Sequence, residues 1–195
     1  MTPLQLVPWI WGVWLVSWML AAFVRDKSVA KQVSGETGHR VVTIVGALLL
    51  FGVPHGLAPD FSWPVPTGAA WGLDAVIVLG FAITWWARVT LGRLWSGDVA
   101  RTKNHHVVDR GPYRFVRHPI YTGIILAAIA TALIRGGVRS LAGAAGITLG
   151  LYLKARLEER FLGQALGEPY TAYARRTPML VPFAKDALKN SSSRA

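Results

Sequence analysis

Residues whose chemistry could support a reaction are concentrated in two polar segments, 92–121 and 154–183. Within the first, Pro119 directly precedes an apolar run, and proline is favoured at the first position of a helix because its missing N–H is not needed there. The free N–H groups and the dipole of a helix that starts at this point favour an anionic ligand group. The sequence therefore predicts an anion-binding helix start where polar residues give way to apolar ones.

The side chains around Pro119 widen this chemistry. Arg117 and His118 can donate hydrogen bonds. Tyr113 and Tyr121 offer flat faces for an aromatic ring, so the group suits a zwitterionic small molecule that carries a base. The alternative is an interfacial anchor, in which the arginine and the tyrosines lie at the level of the lipid headgroups. The residue types leave both interpretations open.

The second polar segment contains an acidic pair, Glu158 and Glu159. Lys154 lies four residues before Glu158, so these two side chains share a helix face. Arg156 and Arg160 form another such pair. One interpretation is a solvated helix, stabilised by about 0.2–0.5 kcal/mol for each ion pair. The other is that one glutamate turns into a pocket and binds a cationic or hydroxyl-bearing cofactor.

Other kinds of site are excluded or disfavoured. The chain has no cysteine, which removes disulfides, thiolate metal ligands and thiol nucleophiles. It contains neither the Gly-x-Gly-x-x-Gly nucleotide loop nor the Gly-x-Ser-x-Gly nucleophile elbow. His105 and His106 are adjacent and point to different sides of a helix or strand, and no carboxylate lies at the spacing that metal enzymes use. No metal site is therefore predicted.

Asp74 is an acidic residue inside an apolar block. An ionisable group within a membrane span is usually functional. Its position near one end of the block is equally compatible with a hydrated side chain at the membrane surface. The sequence leaves both roles open.

The composition is that of a membrane protein. Hydrophobic residues make up 52% of the 195 residues and charged residues only 16%, whereas a soluble domain carries about 25%. The net charge of +11 comes from basic residues between and after the apolar blocks, as expected of loops that touch anionic lipid. Because no nucleic-acid-binding motif accompanies these charges, nucleic acid is not an expected partner.

Five apolar blocks are candidate membrane helices, for which about 20 residues cross a core of about 30 Å. The blocks are residues 4–24, 41–57, 71–91, 119–134 and 138–153. Residues 135–137 predict a tight turn, so the last two blocks would form a helical hairpin. Gly143, Gly146 and Gly150 permit close packing against a neighbouring helix. The predicted fold is all-α: a polytopic membrane protein with about five transmembrane helices, a C-terminal helical hairpin and a cytoplasmic cofactor pocket.

Basic residues set the expected orientation. They recur in segments 25–40 and 88–117 and after residue 153, whereas segment 56–70 has none. By the positive-inside rule the N-terminus lies outside and the C-terminus lies in the cytoplasm. The expected regions are a three-span part at 1–91, a core that holds the hairpin at 92–185 and a disordered tail at 186–195.

Taken in order, the motifs resemble those of the isoprenylcysteine carboxyl methyltransferase family and its bacterial relatives, within the wider group of membrane phospholipid methyltransferases. The resemblance covers approximately residues 88–183. It is carried by His105-His106-Val107-Val108, Gly111-Pro112-Tyr113, Arg117-His118-Pro119-Ile120-Tyr121 with Gly123, Glu158-Glu159, Gly167-Glu168-Pro169-Tyr170 with Tyr173, Pro178, and Pro182-Phe183.

The resemblance implies S-adenosylmethionine as cofactor, bound without a Rossmann fold by the segments that flank the hairpin. It implies cofactor contacts from His105, His106, Val107, Val108, Tyr113, His118, Pro119, Ile120, Tyr121 and Glu158. It further implies catalytic roles for Lys154 and Glu158, because the family has a basic residue one turn before its glutamate that reaches the substrate carboxylate. Eukaryotic members have arginine there, and lysine cannot make the same bidentate contact. Arg156 is the alternative substrate-binding residue.

The function implied by the resemblance is methylation of a lipophilic substrate at the cytoplasmic face of a membrane, and a bacterial inner membrane is the expected location. The expected acceptor is a carboxylate, as in isoprenylcysteine carboxyl O-methylation, and the expected partners are a prenyl or other lipid substrate and membrane lipids. Three alternatives remain at this point. They are an NADPH-dependent membrane reductase of a sterol-like or enone substrate, a phospholipid N-methyltransferase and a non-catalytic membrane scaffold.

Overall fold

The computed structural model describes residues 1–21, 30–31, 36–52, 61–92, 100–101 and 107–184. The helices in this part of the chain are α1 (Pro3–Ala21), α2 (Glu36–Phe51), α3 (Thr67–Leu91), α4 (Pro119–Arg135), α5 (Val138–Leu166) and α6 (Glu168–Arg176). A short 3-10 helix spans Gly111–Arg114, and strand β1 (Ala30–Lys31) pairs antiparallel with β2 (Ala100–Arg101). Apart from this two-residue pairing and an isolated bridge between Ser62 and Gly137, the described residues confirm the all-α prediction.

The five predicted blocks coincide with α1 to α5, with shifted ends. α1 and α3, at 19 and 25 residues, are long and apolar enough to cross a membrane. Residues 37–51 of α2 and the whole of α4 are apolar but shorter. α5 has 29 residues, of which the second half is charged. Two of the five expected spans therefore meet the criterion for crossing, and five crossings remain a prediction. The proposed tail at 186–195 lies outside the described residues.

The helices alternate in direction along the chain. α1 and α3 run parallel, because Trp11 packs on Phe81 with ring centres 4.9 Å apart and Trp18 lies under the Arg88 guanidinium, 4.4 Å from its carbon. α4 runs antiparallel to α3. Gly136, with φ of 60°, ends α4 in the left-handed conformation, where glycine carries no steric penalty. The predicted hairpin turn is thus confirmed.

The bundle has two distinct ends. At the hairpin end, the Trp63 amide donates to the Gly136 carbonyl at 2.7 Å and the Val138 amide donates to the Phe61 carbonyl at 3.0 Å. At the opposite end, which we call the polar end, α4 begins and the charged half of α5 lies. β1 follows α1 and β2 follows α3, and both of these helices end there. The described residues of the two polar segments are therefore gathered at one end.

Glycines allow two helix pairs to pack backbone against backbone. A Cβ atom on Gly46 of α2 would lie 2.5 Å from the Ile147 nitrogen of α5. A Cβ atom on Gly80 of α3 would lie 2.6 Å from the Gly123 carbonyl oxygen of α4. Since lipid tails are as apolar as leucine, such close contact rather than hydrophobicity holds membrane helices together. The packing role predicted for the small residues of α5 is confirmed.

α1 is attached to the bundle by tryptophans. The indole N–H of Trp11 donates to the Thr131 hydroxyl at 3.0 Å, and that of Trp14 donates to the Thr84 hydroxyl at 2.8 Å. Both rings are buried, whereas most other side chains of α1 are exposed. These two bonds fix which face of α1 meets α3 and α4.

Asp74 is buried on the inner face of α3, with 3% of its surface exposed. Among the described residues neither carboxylate oxygen has a hydrogen-bond partner. The hydrated position that the sequence left open for this residue is therefore wrong. The carboxyl group faces the helix bundle instead of the membrane surface.

The close packing of α2 on α5 gives a stability prediction. We expect Gly143→Ala to lower the midpoint of thermal unfolding, measured by tryptophan fluorescence in detergent. A Cβ atom there would meet the Leu50 backbone, and overpacking of this kind costs about 1–3 kcal/mol.

Gly163→Ala, on the same helix, is the matched control. A Cβ atom at Gly163 meets no atom within 4 Å, and alanine is favoured over glycine within a helix by about 0.5–1 kcal/mol. If the Gly143 variant melted no earlier than the Gly163 variant, the α2–α5 contact described here would be wrong.

Candidate active site

The start of α4 is fixed by a neighbouring strap of chain, residues 178–180. The Arg117 amide donates to the Pro178 carbonyl at 2.9 Å, and the His118 amide donates to the Met179 carbonyl at 3.1 Å. Pro119 occupies the first helical position, as predicted. The first intrahelical hydrogen bond of α4 runs from the Thr122 amide to the His118 carbonyl at 3.0 Å. Helix geometry therefore leaves the amides of Ile120 and Tyr121 without an intrahelical acceptor and available for a ligand.

His118 lies between two carboxylates. Its Nε2 atom is 2.7 Å from a Glu159 oxygen, and its Nδ1 atom is 3.4 Å from a Glu158 oxygen. The imidazole is parallel to the Tyr121 ring, with ring centres 5.5 Å apart. The Tyr121 hydroxyl donates to Glu158 at 2.5 Å. The α4 start and the acidic turn of α5 therefore form one cluster, and a ligand pocket there remains a prediction.

Glu159 joins three separate segments. Besides its bond to His118, its carboxylate accepts hydrogen bonds from Arg117 Nε at 2.9 Å and from the Tyr170 hydroxyl at 2.7 Å. Tyr170 belongs to α6, so the carboxylate connects α5, the α4 start and α6. This residue was not among the predicted site residues, although the acidic pair was recognised as a motif.

Arg117 is neither a ligand donor exposed to solvent nor an interfacial anchor. Only 6% of its surface is exposed. Its guanidinium Nη1 donates to the Ala174 carbonyl at 2.8 Å and also to the Thr177 carbonyl. These carbonyls close α6, so Arg117 attaches the C-terminal segment to the α4 start. The anchor alternative is wrong for this residue.

Tyr113 is buried beside the cluster. Its carbonyl accepts a hydrogen bond of 2.6 Å from the Tyr173 hydroxyl of α6. The preceding Gly111 has φ of 58°, and a Cβ atom there would lie 2.8 Å from the Thr90 hydroxyl of α3. The 3-10 helix is therefore held between α3 and α6, which places Tyr113 at the polar end.

The two carboxylates hold His118 in its charged form. Burial alone would lower the pKa of its imidazole, but hydrogen bonds to Glu158 and Glu159 and their negative charges raise it above its ordinary value. Burial likewise disfavours the Glu159 carboxylate, yet hydrogen bonds from His118, Arg117 and Tyr170 lower its pKa to about 2. The pKa of Glu158 is lowered against burial by His118, by the charge of Lys154 and by Tyr121. The surroundings of the site therefore favour an imidazolium between two ionised carboxylates.

The tyrosines around this charged group remain protonated. Burial, the Glu159 charge and the hydrogen bond to it raise the pKa of Tyr170. Burial, Tyr173 and the charge of Glu158 raise the pKa of Tyr113. Both phenols can therefore act as hydrogen-bond donors over the whole neutral range.

The predicted basic residues are placed differently. Lys154 Nζ lies 5.5 Å from the Tyr121 ring centre, at the edge of the cluster. Arg156 is not brought to the cluster; its guanidinium lies 6.0 Å from the ring centre of exposed Tyr152. Lys154 and Glu158 share a face, as their spacing predicts.

Of the predicted cofactor contacts at 105–108, His105 and His106 lie outside the described residues. Val107 and Val108 are half-buried and lead into Asp109, whose carboxylate accepts a 2.6 Å hydrogen bond from Arg176. The residues in and beside the cluster that sequence reasoning missed are Glu159, Tyr170 and Tyr173. Their only signal was membership of the recognised motifs, because spacing does not show which side chains turn inward.

The lowered pKa of Glu159 predicts sensitivity to acid. Because the folded-state pKa of this carboxyl group is lowered, its ionised form stabilises the protein at pH values above its ordinary pKa of 4.5. This contribution is lost as the pH falls towards about 2. We expect Glu159→Gln to lower the free energy of unfolding at pH 7 by about 3 kcal/mol. The further loss of stability between pH 6 and pH 2, which we call the acid limb, should be smaller in this variant than in the wild type. Thermal unfolding from pH 6 to pH 2 measures both.

Glu168→Gln is the control, since the Glu168 side chain is 71% exposed and pairs with exposed Arg175. It should leave the acid limb as in the wild type. An equally steep acid limb in the Glu159 variant would show that this carboxylate does not carry the effect.

Comparison with known proteins gives a consistent result. Residues 73–163 match the family model described as "Isoprenylcysteine carboxyl methyltransferase (ICMT) family". The chain is 35% identical over 147 residues to the cobalt-zinc-cadmium resistance protein CzcN of Cupriavidus metallidurans. The aligned region covers 73% of this chain and 60% of that protein. The chain is 30% identical over 111 residues to protein-S-isoprenylcysteine O-methyltransferase B of Arabidopsis thaliana, with 55% of this chain and 56% of that protein covered.

A third relative, methanethiol S-methyltransferase 1 of Bradyrhizobium diazoefficiens, is 40% identical over 73 residues, which are 37% of this chain and 25% of that protein. The match thus spans between a quarter and three fifths of the length of these curated relatives. The matched family region contains the α4 start and the acidic pair of α5, which belong to the cluster described above, and the hairpin turn at the opposite end. The comparisons therefore support a member of the isoprenylcysteine carboxyl methyltransferase family, and two helices, α1 and α3, are long and apolar enough to cross a membrane.

Proposed function

We propose that this protein is an S-adenosylmethionine-dependent methyltransferase that acts on an ionised carboxylate of a lipophilic acceptor, as in isoprenylcysteine carboxyl O-methylation. The observation that carries the proposal is the cluster at the polar end, in which His118 lies between Glu158 and Glu159 beside Tyr121. Family membership supports the reaction class.

The residues of the cluster fit the three parts of this cofactor. Glu158 would bind the ammonium group, because a carboxylate has about four acceptor positions, of which His118 and Tyr121 occupy two. The amides of Ile120 and Tyr121 at the start of α4 would bind the carboxylate. The ring of Tyr113 would lie against the base. The contacts predicted for His105, His106, Val107 and Val108 belong to the same proposal.

Among the described residues the cluster offers no available base, which favours an acceptor that is already ionised. When bound, S-adenosylmethionine supplies an electrophilic methyl group, which a carboxylate oxygen can accept without losing a proton. A carboxyl group is ionised at neutral pH, whereas a thiol acceptor would have to be deprotonated. His118 cannot serve as that base, since both ring nitrogens are bonded to carboxylates. The protein would act by alignment and exclusion of water, for which well-oriented reactants gain about 7–11 kcal/mol.

We further propose that the chain crosses the membrane five times, with the polar end in the cytoplasm. Both helices that run towards this end, α1 and α3, are followed by segments rich in basic residues. The hairpin end holds Phe61 and Trp63, in a segment without Lys or Arg between residues 56 and 70. The positive-inside rule then places the N-terminus outside.

Lys154 is the proposed substrate-binding residue of the two basic candidates. Its position beside Tyr121 and Glu158 supports contact with an acceptor carboxylate. Arg156 lies on the exposed face of α5 beside Tyr152, which argues against it.

Cofactor binding can be tested at Glu158. We expect Glu158→Gln to weaken the binding of S-adenosylhomocysteine by about tenfold or more, because hydrogen bonds to a charged group contribute about 1.5–3 kcal/mol. Calorimetry in detergent measures the affinity. Glu168→Gln removes an exposed carboxylate instead and should bind as tightly as the wild type. Equal affinities for both variants would contradict the cofactor role of Glu158.

The substrate role is tested by a matched pair of variants. Lys154→Gln should raise the KM for N-acetyl-S-farnesylcysteine about tenfold, since loss of a charged hydrogen bond costs about 1.5–3 kcal/mol. Arg156→Gln should leave this KM unchanged. Transfer of a tritiated methyl group in detergent gives both values, and the reverse order would assign the role to Arg156.

A further inference from the structure

The strap at 178–180 leads into a short apolar segment, residues 181–184, which we call the tip. Val181 has 63% of its surface exposed and Phe183 has 93%, and Pro182 between them is exposed as well. Single exposed apolar side chains are common on proteins, whereas contiguous ones mark a contact surface. The tip is therefore suited to contact with an apolar partner.

The turn within the tip is an unusual place for phenylalanine. The Ala184 amide donates to the Val181 carbonyl at 3.2 Å, which closes a four-residue turn with Pro182 in its second position. Phe183, in the third position, has φ of 64°. Turns with a positive φ at this position favour glycine or asparagine, and a bulky side chain there is an outlier. The chain thus carries an exposed aromatic ring where glycine would suit the backbone better.

The exposed side of α4 shows where the tip lies. Residues at three- and four-residue steps return to the same side of a helix, and on α4 they form a stripe of Thr122, Leu126, Ile129 and Leu133. Ile129 and Leu133 are exposed, at 43% and 39%. The opposite side of the helix, at Gly123, packs on Gly80 of α3. In the proposed five-span topology this stripe faces lipid.

The strap lies on the first turn of this stripe. The Thr122 hydroxyl donates to the Leu180 carbonyl at 2.7 Å, and Thr122 is half-buried, unlike Ile129 on the same stripe. The tip follows Leu180 directly. It is therefore placed on the lipid side of α4, at the depth where this helix begins.

We propose that the tip inserts into the cytoplasmic leaflet of the bilayer and thereby anchors the strap that holds the start of α4. The leaflet supplies apolar surroundings for Val181 and Phe183, as it does for the apolar face of an interfacial helix. Since the strap carbonyls accept the Arg117 and His118 amides, contact with the membrane stabilises the edge of the candidate active site. This role rests on the proposed crossing by α4 and not on methyl transfer.

Insertion is tested by fluorescence quenching in nanodiscs. The chain has no cysteine, so Phe183→Cys provides a unique site for an environment-sensitive fluorophore. The phosphatidylcholine of the nanodisc carries a nitroxide either near the headgroup or near the chain end. We expect the label at residue 183 to be quenched strongly by the nitroxide near the headgroup.

Two labelled variants are matched controls. Ile129→Cys lies about 10 Å beyond Thr122 along α4 and should be quenched more by the nitroxide near the chain end. Glu168→Cys, at a side chain that is 71% exposed, should be quenched by aqueous iodide and by neither lipid. A label at residue 183 that behaved like the one at residue 168 would overturn the insertion.

The anchoring role is tested by hydrogen exchange of the segment that contains the Arg117 and His118 amides, measured by mass spectrometry in nanodiscs. Phe183→Asp should raise the exchange about tenfold or more, because an ionised side chain leaves the leaflet and the strap then opens more often. Aspartate tolerates a positive φ better than phenylalanine, so backbone strain cannot cause the rise. Phe183→Leu keeps an apolar side chain and should exchange like the wild type.

Phe61→Asp is the matched control at the hairpin end, where the Phe61 side chain is 81% exposed. It should leave the exchange of Arg117 and His118 unchanged. Equal exchange in Phe183→Asp and the wild type would overturn the anchor, and so would an equal rise in Phe61→Asp, which would show a general loosening of the bundle. Neither readout needs cofactor or turnover, so a failure of the proposed methyl transfer would leave both intact.

Discussion

The carboxylate of Glu159 accepts hydrogen bonds from Arg117, His118 and Tyr170, which lie in different segments of the chain. Without it, two cationic side chains at the start of α4 would face each other inside the protein. A buried charge is tolerated only when it is paired and hydrogen-bonded. This pairing connects the α4 start to α6, because Arg117 also donates to the carbonyls that close α6. The backbone amide of the same arginine binds the strap at 178–180.

The two adjacent glutamates of the site, Glu158 and Glu159, have different sets of hydrogen-bond partners. Successive residues of a helix point about 100° apart, so Glu158 and Glu159 reach opposite nitrogens of one imidazole. Glu159 is engaged by the protein itself. Glu158 has the hydroxyl of Tyr121 and the longer contact to His118, and in the proposed function it keeps acceptor positions for a cationic ligand. The contact with Glu159 thus orients the His118 ring. The other side of this ring contacts Glu158, the carboxylate that we propose as the ligand-binding one.

The start of α4 at Pro119 and the turn at 135–137 could be predicted from the sequence, because proline and glycine have strong local preferences. The shared face of Lys154 and Glu158 followed from helix geometry alone. The burial of Arg117 could not be predicted, since it depends on carbonyls of α6 far along the chain. Nor could the environment of Asp74, which depends on how the bundle closes around α3. Local rules locate elements and motifs, whereas the direction of a side chain is decided by distant packing.

The indole bonds of Trp11 and Trp14 join residues that are 120 and 70 positions apart in the chain. During synthesis α1 therefore emerges well before either threonine partner exists. In the proposed topology hydrocarbon offers no competing acceptor for the indole N–H groups, so both remain unsatisfied until their partners are made. The docking of α1, which forms the aromatic wall against α3 and Phe51, therefore cannot be complete before α4 has been synthesised.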